Sequence, residues 1–150
     1  MNKAQEKAYE FLKNHKFAVL STATEDAKPW GAAVYYAVDK ELNFYFLTHT
    51  GSKKYRNLQE QPNAAVTVVD DNAQTTVQAA GTITTIDMGQ EHDDAFRTLV
   101  GIHPPGQYAW VPPVSKLHNG DSVLLKLTPD HLQMSVFYPA QSEPDIQKVV

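Results

Sequence analysis

Cysteine is absent from this 150-residue sequence, and arginine occurs only as Arg56 and Arg97. Without cysteine the chain has no disulfide, no thiolate nucleophile and no cysteine-ligated metal. The formal charge of −4 and the scarcity of arginine argue against a nucleic-acid-binding protein, which needs a broad basic face. No apolar run approaches the length of a membrane span, and the N-terminus lacks a secretory hydrophobic segment. We therefore expect a cytoplasmic protein without membrane contact.

The sequence also lacks a nucleophile elbow, a Walker sequence and a dinucleotide glycine fingerprint. Its six histidines are scattered, without metal-ligand spacing to a nearby carboxylate. Glu91-His92-Asp93-Asp94 is the densest set of possible ligands, but consecutive helix positions point in different directions. We predict a solvated helix face there and no metal site.

The remaining composition is that of a globular domain, with 42% hydrophobic and 20% charged residues. A chain of this length can bury roughly 70% of the surface that it exposes when unfolded. No repeat or internal boundary is visible, so we predict one domain over residues 1–150, with a polar, loosely held tail at 139–150.

Hydrophobic periodicity predicts six or seven strands and two or three helices. The helices cover residues 4–14, 52–61 and 90–100, and the strands cover 17–24, 30–38, 42–48, 64–69, 75–87, 122–127 and 131–137. Strict alternation in 42–48 after a short connection predicts a hairpin with 30–38, and Gly81 predicts a bulge in the fifth strand. Because βαβ alternation is absent, we predict a mainly β (α+β) fold, an antiparallel barrel of six to seven strands with flanking helices.

A basic cluster stands where the third strand meets the second helix. Lys53, Lys54 and Arg56 follow Gly51-Ser52, and Ser52 is a good N-cap. Cations at a helix N-terminus are mildly unfavourable, by roughly 0.3–1 kcal/mol each, unless an anion lies among them. Phosphate is the usual occupant of such a site. A solvated basic helix start explains the same residues, and the segment alone leaves both interpretations open.

Taken in order, several segments resemble the pyridoxamine-phosphate-oxidase-like, flavin-binding split barrels. The likeness runs from about Gln5 to Phe137, and the motifs that carry it are Leu20-Ser21-Thr22-Ala23, Ala27-Lys28-Pro29, Tyr45-Phe46-Leu47-Thr48, Gly51-Ser52-Lys53-Lys54, Leu58, Pro62-Asn63-Ala64-Ala65-Val66 and the strand from Val77 to Gly81.

The resemblance implies that FMN binds with its phosphate at Ser52, Lys53 and Lys54, with a hydroxyl from Thr48. Ala32 stands where the true oxidases carry a phosphate-binding arginine, which leaves the two lysines as the main counter-ions. The true oxidases also carry arginine and histidine near the C-terminus, whereas this chain has no arginine after Arg97. We therefore do not expect genuine pyridoxamine phosphate oxidation.

The resemblance places the flavin ring against the second strand, around Ala33, Val34 and Tyr35, where backbone groups can bond its pyrimidine edge. Thr76 matches a position where relatives often carry a ring-contacting glutamine. Trp110, in a proline-dense loop, is a candidate to cover the ring from a second subunit; filling a core gap is the alternative role.

The second strand is apolar or aromatic at nearly every position from 32 to 37, so both of its faces should be covered. Small barrels fill their own interior with side chains. We therefore predict a homodimer with two cofactor sites shared at the interface, as the resemblance also implies.

Two classes of function remain open. The first is an FMN-dependent oxidoreductase acting on a small-molecule substrate or electron donor, in which the cofactor supplies the chemistry. The second is a non-catalytic protein that binds flavin, deazaflavin or haem in sensing or stress protection, because the resemblance extends to such relatives.

Overall fold

The computed structural model of the chain describes residues 1–101, 121–137 and 143–150. In these ranges the chain forms three helices and eight strands, which are, in order, α1 (Lys3–Lys13), β1 (Phe17–Ala23), β2 (Pro29–Tyr35), β3 (Ala37–Val38), β4 (Phe44–His49), α2 (Lys53–Glu60), β5 (Asn63–Asp70), β6 (Thr75–Thr85), α3 (Gln90–Val100), β7 (Ser122–Val136) and β8 (Asp145–Lys148).

The described strands form one curled antiparallel sheet in the order β2-β1-β5-β6-β7-β4-β3, and β8 pairs with β7. Side chains alternate across the strands, and the inner-face residues close on a single core together with α1 and α2. The largest fully buried members are Phe44, Phe46, Leu12, Leu20, Leu42, Leu125, Leu127 and Leu132. The predicted mainly β, antiparallel split barrel with flanking helices is confirmed.

The segment predicted as one strand over 30–38 is divided between β2 and β3. Tyr36 separates them; its buried hydroxyl donates to the carbonyl oxygen of Leu12 at 2.7 Å, and its N–H donates to that of Lys16. These bonds tie the chain to the end of α1, so β2 pairs with β1. The predicted hairpin with 42–48 is correct only for β3, which pairs with β4.

The two strands predicted at 122–127 and 131–137 are one continuous strand, β7, which crosses Pro129. Its register against β6 shifts between Ala80 and Gly81, as expected from the predicted bulge, and Gly81 lies opposite Pro129. A bulge accommodates a proline because the disturbed ladder does not need its missing N–H. A Cβ atom on Gly81 would lie 2.0 Å from the carbonyl oxygen of Thr128.

The predicted looseness of the tail is wrong for residues 145–150. β8 pairs with β7 from Val136↔Asp145 to Gln133↔Lys148. Val149 is buried, and its N–H donates to the carbonyl oxygen of Leu132 at 2.7 Å. The backbone pairing of β8 and the buried side chain of Val149 hold this segment on the sheet, although its polar composition alone predicts a loose tail.

α3 covers the outer face of the sheet near β3 and β4. Ala95 and Leu99 pack with Tyr45 and Leu124 in a second, smaller cluster. None of the helices in the described ranges has an apolar stretch long enough to cross a bilayer.

Candidate functional site

The N-terminus of α2 presents hydrogen-bond donors. Ser52 caps the helix, because its Oγ accepts the N–H of Tyr55 at 3.2 Å. The buried Thr48 places its Oγ1 3.3 Å from Ser52 Oγ, so the two predicted hydroxyls are brought together. The backbone N–H groups of Lys53 and Lys54, the first two of the helix, have no acceptor in the described part of the chain. This arrangement suits an anion.

Two lysines lie at this end of the helix. In the ranges that the structure describes, no carboxylate lies within ion-pair distance of Lys53 or Lys54. Lys54 is half-buried, and burial lowers the pKa of its ammonium below the usual value. A cation that is partly removed from water and unpaired is costly, and a bound anion would offset that cost.

Lys53 links the helix to β2. Its Nζ lies 4.2 Å from the centroid of the Trp30 ring, a cation–π contact near the start of that strand. Trp30 is 43% exposed, so the pair lies at the surface. The contact brings the predicted phosphate site beside the strand predicted to carry the flavin ring.

A buried polar contact holds α2 in place on the sheet. Asn57, only 4% exposed, donates from Nδ2 to Oγ1 of Thr22 on β1 at 3.1 Å. Leu58 packs into the main core beside it. A satisfied buried pair of this kind fixes the orientation of the helix, and with it the donors at its N-terminus.

The turn between β4 and α2 is held by side chains on both sides. Arg56 donates from Nη1 to the carbonyl oxygen of Gly51 at 3.1 Å. The only arginine near the site therefore lies at the turn, whereas Ala32 in β2 contributes no charge. His49 Nδ1 accepts the N–H of Gly51 at 2.9 Å.

The three residues predicted to contact the flavin ring lie together on β2 but differ in burial. Ala33 is exposed, and Tyr35 is half-buried with its ring 4.1 Å from that of Phe17. Val34 faces the core, so it can offer a ligand only its backbone. β2 ends the strand order, so one of its backbone edges has no partner strand among the described residues.

Thr76 is not brought next to these residues within the sheet. It lies on β6, which is separated from β2 by β1 and β5. Neighbouring strands are about 4.8 Å apart, so three steps amount to roughly 14 Å along the sheet. Trp110, the other predicted ring contact, lies outside the described residues.

A separate cleft of about 600 Å³ opens between β3, β4 and α3, and it contains none of the predicted cofactor-binding residues. Its lining includes four carboxylates and one lysine, so it disfavours a phosphate; these charged residues are Asp39, Glu41, Glu91, Asp94 and Lys126.

The polar groups of this acidic cleft bind one another. The Tyr45 hydroxyl lies 2.9 Å from Asp39 Oδ2 and 2.8 Å from Glu91 Oε1, and Lys126 Nζ lies 2.6 Å from the same Glu91 oxygen. The Lys126 ammonium, with help from the Tyr45 hydroxyl, holds the pKa of Glu91 below its usual value. In the described ranges, no group of three or more His, Asp or Glu side chains is placed to hold a metal ion.

Sequence reasoning did not assign a role to Trp30 or His49. Neither residue was among the predicted cofactor-binding residues. Both act through contacts between segments, with Lys53 and Gly51 respectively. His49 adjoins the basic cluster in the sequence, whereas Trp30 is distant from it and meets Lys53 only in the folded chain.

The fold agrees with a comparison against protein families. A family model described as pyridoxamine 5'-phosphate oxidase matches residues 4–135. The chain therefore belongs to this family, and the resemblance read from the sequence is confirmed. No curated protein sequence matches the chain at a significant level.

Several solved structures share the fold. One is a haem-binding protein from Mycobacterium smegmatis, with a TM-score of 0.75 and 18% identity over 99% of this chain, which spans 59% of that protein's chain. General Stress Protein 26 from Bacillus anthracis has a TM-score of 0.69 and 17% identity, covering 97% of this chain and 98% of that one. A pyridoxamine 5'-phosphate oxidase-related, FMN-binding protein from Nostoc punctiforme has a TM-score of 0.59 and 17% identity, covering 97% and 93%. At these identities the likeness shows the fold alone.

Proposed function

We propose that this protein binds FMN, with the flavin phosphate at the N-terminus of α2. The observation that carries the proposal concerns Lys53 and Lys54: among the described residues, their side chains have no counter-ion and their backbone N–H groups have no acceptor. Ser52 and Thr48 add hydroxyls beside them. Membership of a family with FMN-binding members supports the same cofactor.

The residues of the site fit the parts of FMN. The cationic helix end suits the phosphate, and the edge of β2 that faces no other described strand suits the polar edge of a flat ring. When bound, FMN supplies the ability to accept or donate a hydride. The chain's own residues then have three tasks, which are to anchor the phosphate, to orient the ring against Ala33 and Tyr35, and to leave one ring face open.

We further propose that the protein is an FMN-dependent oxidoreductase acting on a small molecule. Oxidation of a reduced pyridine nucleotide, strictly dependent on the FMN-loaded protein, would support this activity. The alternative is a non-catalytic binder of flavin, deazaflavin or haem. We retain this alternative because the fold is similar to that of a haem-binding protein. If the FMN-loaded protein oxidises none of a panel of chemically distinct electron donors, the result would favour the alternative. Pyridoxamine phosphate oxidation is not proposed, because Ala32 carries no charge at the position where the true oxidases carry a phosphate-binding arginine.

FMN should bind more tightly than riboflavin, by at least about tenfold for each charged contact that its phosphate makes. A hydrogen bond to a charged group contributes roughly 1.5–3 kcal/mol, and 1.4 kcal/mol is a factor of ten in affinity. Quenching of flavin fluorescence during titration with the apo-protein measures both dissociation constants. Equal affinities for the two flavins would contradict the phosphate assignment.

The cofactor site is also proposed to be shared in a homodimer. The outer face of β1 and β5 carries large exposed apolar side chains, with Phe17 54%, Val19 45% and Val69 59% exposed. The register of β1 against β5 pairs Val19 with Thr67, and its continuation brings Phe17 level with Val69. The Tyr35 ring is tilted against that of Phe17, with 4.1 Å between the centroids. A continuous apolar surface of this kind, beside the ring strand, is suited to a second copy of the chain.

Light scattering at low micromolar concentration should therefore give the mass of a dimer, with and without FMN. Val69→Glu should give a monomer that binds FMN weakly, because it places a charge on the apolar surface. Thr84→Glu, at an exposed position on β6, is the matched control and should remain dimeric. A wild-type monomer that binds flavin one-to-one would refute the shared site and the role given to Trp110.

A further inference from the structure

The turn between β4 and α2 contains a contact that the sequence did not predict. His49, the last residue of β4, accepts the N–H of Gly51 at its ring Nδ1, 2.9 Å away. Its own carbonyl oxygen accepts the N–H of Ser52 at 3.0 Å. One residue therefore holds two successive N–H groups just before α2. The ring nitrogen acts as the side-chain oxygen of asparagine does in an Asx turn.

The glycine at position 51 serves this contact. Gly51 does not have a positive φ; among the described glycines only Gly89 does. A Cβ atom on Gly51 would lie 2.9 Å from both Cε1 and Nδ1 of His49. The absence of a side chain at Gly51 therefore makes room for the imidazole ring.

The other residues of the turn are fixed from outside. The N–H of Thr50 donates to the carbonyl oxygen of Asp121 at 2.8 Å, and Arg56 donates to the carbonyl oxygen of Gly51. The Gly51 N–H is thus the group that depends on His49. Because Gly51 directly precedes Ser52, its position bears on the direction in which Ser52 and the backbone N–H groups of Lys53 and Lys54 point.

We propose that His49 is a positioning residue for the phosphate of FMN, acting through the Gly51 N–H. The inference rests on the proposed function, because it concerns the same site. His49 is exposed and fixes the turn before the ligand arrives, so the ligand does not have to order the turn itself. The role requires a hydrogen-bond acceptor at this place, and no charge on the ring.

Three variants separate this role from a general effect on folding. His49→Ala removes the acceptor, and FMN should bind roughly tenfold more weakly, with riboflavin unaffected. His49→Asn keeps an acceptor for the N–H two residues later, and it should restore most of the FMN affinity. Gly51→Ala should imitate His49→Ala because it displaces the ring, and the double variant should be no weaker than either single one.

Amide hydrogen exchange in the apo-protein provides a readout that does not use FMN. Exchange at Gly51 should be faster in His49→Ala and near the wild-type rate in His49→Asn. The inference would be overturned if His49→Ala had the same ratio of FMN to riboflavin affinity as the wild type. It would also be overturned if His49→Asn bound FMN as weakly as His49→Ala. Absence of FMN preference in the wild-type protein would instead refute the proposed function itself, and the inference with it.

Discussion

Replacing Lys53 and Lys54 together by alanine should weaken FMN binding by roughly 100-fold or more, with little change in riboflavin binding. Each lysine is expected to make a charge-assisted contact of about 1.5–3 kcal/mol, so two contacts exceed the 2.8 kcal/mol or so that corresponds to a factor of 100. The melting temperature of the apo-protein should change little. Loss of the Lys53–Trp30 contact is offset by removal of two cations from a helix N-terminus.

The matched control is Lys3→Ala with Lys7→Ala, which removes the same charge from exposed positions on α1. Fluorescence titration with FMN and riboflavin should give wild-type affinities for this control. If the control weakened FMN binding as much as the double variant at α2, net charge would explain the effect. A collapse of apo-protein stability in the α2 variant would make these lysines structural.

Gly81→Ala should lower the free energy of unfolding by about 3 kcal/mol, a large effect for a single added methyl group. The added Cβ would lie 2.0 Å from the carbonyl oxygen and 2.8 Å from the carbonyl carbon of Thr128, and 2.9 Å from Cα of Pro129. These are backbone atoms of the neighbouring strand, so no side-chain rotation can relieve the overlap, and the bulge between β6 and β7 must shift.

Gly31→Ala is the comparison for this test. Gly31 lies on β2 in the same sheet, but a Cβ atom there meets only Cγ1 of Val19, at an ordinary 3.5 Å. Chemical denaturation of both variants should show a stability loss for Gly31→Ala well below that for Gly81→Ala. Similar losses for the two variants would mean that the bulge relaxes without cost.

The sequence predicted the elements of this fold better than their connections. Alternating side chains located β4, β5 and β6, and the cap at Ser52 located α2, because each pattern is local. The break at Tyr36 depends on a bond to Leu12, and the passage of β7 through Pro129 depends on Gly81 of the facing strand. Periodicity reports which face of a strand is buried, and says nothing about such distant partners.

In the candidate site, too, local features were predicted from the sequence and contacts between distant segments were not. Ser52, Lys53 and Lys54 adjoin one another in sequence, so their convergence follows from the start of one helix. The contacts of His49 and Trp30 depend on the positions of their side-chain rings in the folded chain. Residue types alone do not determine these positions. Thr76 was assigned by likeness to relatives, whereas the strand order separates it from β2 within one chain.

The visible absorption spectrum of freshly purified protein, with mass spectrometry of the released chromophore, tests the central claim most directly. The account predicts the two absorption bands of oxidised flavin and a released mass equal to that of FMN; protein purified without a chromophore should acquire both on incubation with FMN. A haem spectrum, a deazaflavin mass, or a colourless protein that does not take up FMN would contradict it.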